Sequence, residues 1–426
     1  MNSERNEVGY LRPRGYRPRL VDSHLKRLLK TNTIVRLVGP HGSGKSWCAL
    51  SHGKSVVSAS DESIRPILES APEHALAGGQ SPHVVDEWQI IPTLAKTASQ
   101  APYGSYLLVS STDNHPKDER YVARTPLVRL WPFTLVESGV SNMSVSLMGL
   151  FSHGFYPMSC SLGLPELAEV ICVGGWPRMQ GIGAENAARL LRVQLQTVLE
   201  NELPARSKRV PMAVRVVCAQ AARGWKSTYE DRAHYVEGHG EKPFSRKTER
   251  DYAKIFRETY LTYQVDGWKA PIRSVSRVRF KPRTQFVDPS LPAMLLAHTP
   301  ETLLDDAPAL LELMRCLVLR DLNVYMSVLN PEEPTVHYYA DSDGACADAV
   351  VALPDGRWGA INVAIGDAQF EQAARGLTRL RSKLGKNPDN PYPEPSFLAV
   401  AMGSCHRPRL DKRTGVYAFP IGCLTV

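Results

Sequence analysis

Gly39-Pro40-His41-Gly42-Ser43-Gly44-Lys45-Ser46 follows the apolar run Ile34-Val35-Arg36-Leu37-Val38 and precedes Trp47-Cys48-Ala49-Leu50. Its spacing is G-x-x-x-x-G-K-[ST], in which each fixed residue has a separate task on a nucleoside triphosphate. Gly39 and Gly44 allow a tight turn whose N–H groups point inward at phosphate oxygens. Lys45 brings a point charge to the β/γ phosphates, and Ser46 brings a hydroxyl for Mg²⁺. The run before the loop reads as a buried parallel strand. Trp47–Leu50 reads as the helix after it, with its N-terminal dipole facing the phosphates. All eight loop residues, together with Trp47, are therefore the expected contacts of ATP or GTP with Mg²⁺.

Such a loop needs an acidic partner at the tip of another strand. Ser81-Pro82-His83-Val84-Val85-Asp86-Glu87-Trp88-Gln89 supplies one. Asp86 is expected to hold the Mg²⁺ shell with Ser46, and Glu87 to polarise the attacking water. Tyr106-Leu107-Leu108-Val109 reads as a third buried strand, ending in Ser110-Ser111-Thr112. A hydroxyl there, Ser111, can touch the γ-phosphate or the water; an ordinary polar strand end looks the same in sequence.

The 426 residues leave room for two or three domains, and 43% hydrophobic with 22% charged residues is a globular composition. No apolar run approaches the roughly eighteen residues needed to span a bilayer. Met1–Glu7 is polar, so no membrane role and a cytoplasmic location are expected. The eight cysteines are scattered without a C-x-x-C pair and read as reduced core thiols. The formal charge of +8 is concentrated in two places. Residues 1–30 carry eight Arg/Lys against three acids, and residues 268–283 carry six against none. Arg277, Arg279, Lys281 and Arg283 recur at every second position, with Val278 and Phe280 between them. A strand here has one basic and one apolar face, as a wing on a phosphate backbone requires. A solvated or protein-facing strand satisfies the same pattern, so both nucleic acid and protein remain candidate partners.

The first 150 or so residues alternate strand and helix, which implies a mainly parallel sheet. From Glu185 to about Tyr263 the pattern is helical. Tyr252, Ile255, Phe256, Thr259, Tyr260 and Tyr263 fall on one helix face, and Ser245 is placed to cap that helix. Ser227–Pro243 reads as a polar loop between helices. Beyond Phe286, a helix at Leu310–Leu319 and strands at Ala347–Leu353 and Trp358–Ile365 are expected.

Several segments occur in a telling order: Tyr16–Asp22, the phosphate loop, Val85–Gln89, Phe133–Gly139, Gly174-Gly175-Trp176-Pro177 and Phe286–Leu291. Together they resemble the bacterial AAA-type ATPases that carry a C-terminal nuclease-like domain of unknown function. The resemblance spans nearly the whole chain. It implies an α/β fold in three parts: an AAA-like P-loop ATPase domain over 1–180, a winged-helix domain over 181–285, and a degenerate PD-(D/E)xK nuclease-like domain over 286–426. It favours ATP over GTP. It also places Arg124 where the family often carries an arginine, the candidate arginine finger, although the usual glycines around it are missing and a surface arginine reads alike. The oligomeric state stays open.

The C-terminal part departs furthest from the resembling family. A PD-(D/E)xK site needs an Asp, then Glu-x-Lys on the next strand, to hold Mg²⁺ and orient water. Asp348 takes the first position, but the second reads Asn362-Val363-Ala364, and Met314-Arg315 stands where a glutamate is expected upstream. A cation in place of a ligating carboxylate repels the metal. Nuclease chemistry is therefore not expected, and Asp341, Asp343 and Asp367 are the acids left for a relocated site. The expected activity is ATP hydrolysis with Mg²⁺ driving a conformational switch. The alternative is an ATP-gated nucleic-acid-binding regulator with little hydrolysis.

Overall fold

Every residue of Ile34–Val38 is buried, as a strand covered on both faces must be. In the computed structural model this strand, β1, lies inside a five-stranded parallel sheet with β2 (Ser55–Ser58), β3 (His83–Asp86), β4 (Tyr106–Ser110) and β5 (Leu127–Arg129). The order is β2-β3-β4-β1-β5. Residues 3–5, 9–100, 106–113, 125–152, 154, 158–203, 208–269, 281–386 and 394–426 are described by the structure. Alternation along the strands fills two cores. Val35, Leu37, Leu107 and Val109 face helices α1 (Asp22–Thr31) and α2 (Lys45–His52) through Leu25, Leu29, Cys48 and Ala49. Ile34 and Leu108, one residue out of step, meet Leu68, Leu76, Leu94 and Ala98 in the other core. The sheet is thus the mixed α/β, P-loop type that the motif implied, and the loop leaves the carboxyl end of β1, where ligands of open parallel sheets bind.

The chain forms two compact units. The first comprises Met1–Pro132, Trp176–Arg178 and Lys254–Leu261; the second comprises Phe133–Gly175, Met179–Ala253 and Thr262–Val426. Within the second run helices α3 (Leu164–Val173), α4 (Ala184–Glu202), α5 (Val210–Arg223) and α6 (Tyr229–Gly238), and α7 (Arg246–Glu258) begins there. An antiparallel pair follows, β6 (Thr262–Val265) with β7 (Arg283–Phe286). The polar-loop expectation for 227–243 is corrected by α6: Thr228 Oγ1 accepts from Asp231 N–H while the Asp231 carboxylate accepts from Thr228 N–H. That reciprocal cap closes a helix the hydrophobic pattern did not announce. Ser245 does cap α7, accepting from Thr248 N–H at 3.0 Å. The helix stops at Glu258 and Tyr260 takes a left-handed turn, so the expected helix face is corrected at its end: Thr259 and Tyr260 lie beyond the helix and Tyr263 belongs to β6.

After two short helices, Ser290–Leu295 and Pro300–Asp305, comes α8 (Ala307–Leu329), which is buried over most of its length. Strands β8 (Val336–Ala340), β9 (Cys346–Ala352) and β10 (Trp358–Ala364) form an antiparallel meander. Helix α9 (Asp367–Gly385) then crosses to β11 (Phe397–Met402), parallel to β10. The strands β12 (Arg409–Asp411) and β13 (Val416–Pro420) complete the order β8-β9-β10-β11-β13-β12. Phe370, Ala374, Leu377 and Leu384 of α9 pack on Trp358, Ala360, Leu398 and Val400.

Three of the ordered motifs meet in this unit. Asp288 accepts from Gly175 N–H and from Ser290 N–H and Oγ, and pairs with the buried Arg320 at 2.8 Å. Arg320 also bridges to Asp321, whose other oxygen accepts from Leu135 N–H. The motif residues Leu135, Gly175 and Asp288 therefore hold a buried polar junction.

Candidate functional site

The loop's glycines are required by its geometry. Gly44 is left-handed at φ 92° and ψ 18°, directly before α2, and a Cβ on Gly39 would sit 2.2 Å from the Leu130 carbonyl oxygen. No side chain caps α2, so its first-turn N–H groups, which have no partner within the helix, are left for a ligand. Ser43 Oγ is buried with no hydrogen-bond partner. Lys45 is 5% exposed, and its ammonium donates to the Pro40 carbonyl at 2.9 Å. Burial lowers the Lys45 pKa to about 8 against the attraction of Glu87 and Asp86. An uncapped helix start, an orphaned hydroxyl and a desolvated ammonium together fit a triphosphate. Trp47, by contrast, is 40% exposed on the outer side of the same helix.

Strand β3 delivers the acids. Burial raises the Asp86 carboxyl above its ordinary pKa although the Ser46 hydroxyl donates to it. That Ser46–Asp86 pair is the donor set a hard divalent cation takes, a hydroxyl beside a carboxylate. Glu87 adopts φ 50°, a conformation uncommon for a non-glycine residue. Its two oxygens accept from Ser111 Oγ at 2.6 Å and from Gln89 Nε2. The strand-tip serine of β4 is thus in direct contact with the acid at the tip of β3. This contact gives a role to Gln89, which the sequence marks only as the last residue of the Val85–Gln89 motif.

Three further residues close around the loop. Arg19 donates from Nη1 to the Ser43 carbonyl and from Nη2 to the Trp131 carbonyl, bracing the loop from the Tyr16–Asp22 motif. Pro177 lies against Gly44, its Cγ 3.3 Å from where a Cβ would stand. Arg178 is close enough to His41 to act on its charge: burial lowers the His41 pKa, and Lys45 and Arg178 lower it further while Glu87 opposes them. Arg178 is a cation at the loop that sequence reading passed over. Its nearest signal is the adjoining Gly174-Gly175-Trp176-Pro177 motif, which ends one residue before it. Arg124 lies outside the described residues.

In the second unit, Asp348 does not face an open metal position. Arg315 Nε lies 2.9 Å from Asp348 Oδ1, and Val363 N–H donates to Oδ2 at 3.1 Å. Burial raises the Asp348 pKa, but Arg315 and Lys226 outweigh it and hold the carboxyl below its ordinary value. Asn362 spends its side chain on the Asp348 N–H and the Ala373 carbonyl. Two of the departures from the nuclease pattern, Arg315 and Asn362, thus both contact Asp348, with a guanidinium against the one carboxylate. The acids considered for a relocated site are also engaged. Asp341 and Asp343 both bind Lys383, and Asp367 pairs with Arg409.

The basic alternation after residue 268 is only partly described, since Arg277 and Arg279 lie outside the described residues. Lys281 is exposed, but Arg283 is 9% exposed and stacks on the rings of Tyr338 at 3.7 Å and Trp225 at 4.7 Å. Arg283 therefore serves the interior of its unit, a correction to its assignment to a basic outer face. Among the described residues no helix is long and apolar enough to cross a membrane.

A family described as Domain of unknown function (DUF8612) matches residues 164–302, about a third of the chain. No curated protein matches. Among solved structures, the Walker-type ATPase PABY2304 of Pyrococcus abyssi is similar at 13% identity and a TM-score of 0.40, over 68% of this chain and 99% of that one. The ORC2 protein of Aeropyrum pernix, solved as ADPNP–ADP complexes, is similar at 13% identity and a TM-score of 0.30, over 69% and 98%. Cdc6p from Pyrobaculum aerophilum follows at 12% and 0.23, over 67% and 96%.

Proposed function

We propose that this chain binds ATP with Mg²⁺ and hydrolyses it to drive a conformational switch. The observation that carries this is the meeting of the two strand tips at the loop: Ser46 on Asp86, Ser111 on Glu87, and Lys45 drawn by both acids. Lys45 and the N–H groups at the start of α2 would hold the β/γ phosphates. Ser46 and Asp86 would hold Mg²⁺, which when bound neutralises phosphate charge. Glu87, positioned by Ser111 and Gln89, accepts a proton from the attacking water. Arg178 is the cation placed to meet charge developing on the transferred phosphoryl group.

The proposed division is an ATPase domain over 1–180, a winged helix over 181–285 and a nuclease-like domain over 286–426. The run of α5, α6 and α7 into the β6–β7 pair supports the second, and α8, the β8–β10 meander, crossover α9 and parallel β11 support the third. With Arg315 against Asp348 and Asn362 on the next strand, the third domain is proposed to lack nuclease activity. A cytoplasmic location belongs to the same reading. Nucleic acid is the proposed partner, through Lys281 together with Arg277 and Arg279.

The test is steady-state ATP hydrolysis by wild type, Lys45→Ala and Glu87→Gln, with and without duplex DNA. Lys45→Ala should lose about 10²–10³ in turnover and bind ATP weakly. Glu87→Gln should lose about 10²–10⁴ while still binding ATP. Wild type that binds ATP without turnover, and loses binding in Lys45→Ala, would replace the hydrolase with a nucleotide-gated binding protein.

A further inference from the structure

On the far side of α2 from Trp47, Cys48 and His52 sit at i and i+4 of the buried face, at 0% and 3% exposure. Asp22, the first residue of α1, stands between them. Its Oδ1 lies 3.0 Å from His52 Nε2 and 3.6 Å from Cys48 Sγ. The three ligand atoms lie within 4.8 Å of one another. Two bonds fix the carboxylate from outside: Tyr16 Oη donates to Oδ1 at 2.8 Å and Arg19 N–H to Oδ2 at 2.9 Å.

We propose that Asp22, Cys48 and His52 form a binding site for a transition-metal ion of the Zn²⁺ class, with a water in the fourth position. The donor set is the argument. Thiolate sulfur, imidazole nitrogen and one carboxylate oxygen select a borderline-soft ion over Mg²⁺ or Ca²⁺. A spacing of four on one helix brings two ligands to one ion, and Asp22 adds the third from a separate helix. The Tyr16 and Arg19 bonds are the outer contacts that orient a ligating carboxylate. On uptake the Cys48 thiol releases its proton and His52 presents its Nε2 lone pair. The ion would tie the Tyr16–Asp22 segment, which braces the phosphate loop through Arg19, to the loop's own helix. This site is independent of the nucleotide reading and uses none of its residues.

The test uses the full chain, stripped with chelator, reduced and free of nucleotide, titrated with Co²⁺ and then Zn²⁺. Expected are about one equivalent of Co²⁺ with a thiolate-to-cobalt charge-transfer band, its displacement by Zn²⁺, and loss of the band in Cys48→Ser. His52→Gln should weaken uptake at least about tenfold, and so should Asp22→Asn. Circular dichroism of each variant checks its folding, and the two other variants carry the test if Cys48→Ser does not fold. No band in wild type, or a band unchanged in the folded variants, overturns the site and leaves Asp22 as a hydrogen-bond acceptor for its four neighbours.

Discussion

Lys45 is an ammonium taken out of water and compensated by Asp86, Glu87 and the Pro40 carbonyl. Burial is the largest influence and lowers its pKa to about 8. Bound phosphates would raise it again, so above that value binding must take up a proton. The sign follows: affinity for ATP is full where Lys45 is already protonated and falls as pH rises through about 8. Between pH 8 and 9.5 the Kd should weaken by about tenfold per pH unit, and below pH 7 it should be flat. His41, which also faces the loop, has a lowered pKa and lies below that window. Fluorescent-nucleotide titrations across pH 6.5–9.5 read this directly. Lys45→Arg, with a guanidinium that stays charged, should lose the pH dependence.

At the scale of elements, α6 shows what a reciprocal cap contributes. Thr228 and Asp231 satisfy each other's backbone N–H groups at the start of a ten-residue helix with one buried apolar residue, Val236. Thr228→Ala should cost about 1 kcal/mol, read as a lower urea midpoint with unchanged slope. This helix also marks where sequence reading thinned. Strands β1, β3 and β4 and the helix after the loop were legible because apolar runs and glycine spacing are local signals. So were Asp86, Glu87 and Ser111, each at the tip of its strand. Helix α6 was not, because Gly, His and Glu mask a weak apolar pattern and only Thr228-x-x-Asp231 pointed to it. Arg178 and the Asp22–Cys48–His52 cluster were illegible for a different reason. Their partners are tens of residues away, and only the folded chain brings them together. The buried Arg283 deceived for a third: alternation assigns a residue to a face but not to water, and two aromatic rings claimed that face.

For the whole molecule, the Asp288–Arg320–Asp321 junction joins stretches from residue 135 to residue 321. Asp288→Ala leaves Arg320 short of one buried partner and Gly175 N–H without its acceptor. The second unit should lose about 3–5 kcal/mol, measured by denaturant unfolding, and Asp288→Asn, which keeps an acceptor, should lose less. The first unit is drawn together from separated stretches as well. Asp113 N–H donates to the Glu258 carbonyl and Arg129 stacks on Tyr260, so Lys254–Leu261 completes what residues 1–132 begin. On a ribosome these last residues arrive roughly 130 positions after Pro132, a wait of roughly 6–26 seconds at ordinary elongation speeds. For that interval the nascent parallel sheet is exposed without its final segment, a substrate for holding chaperones. A gene truncated after codon 180 would make that transient state permanent.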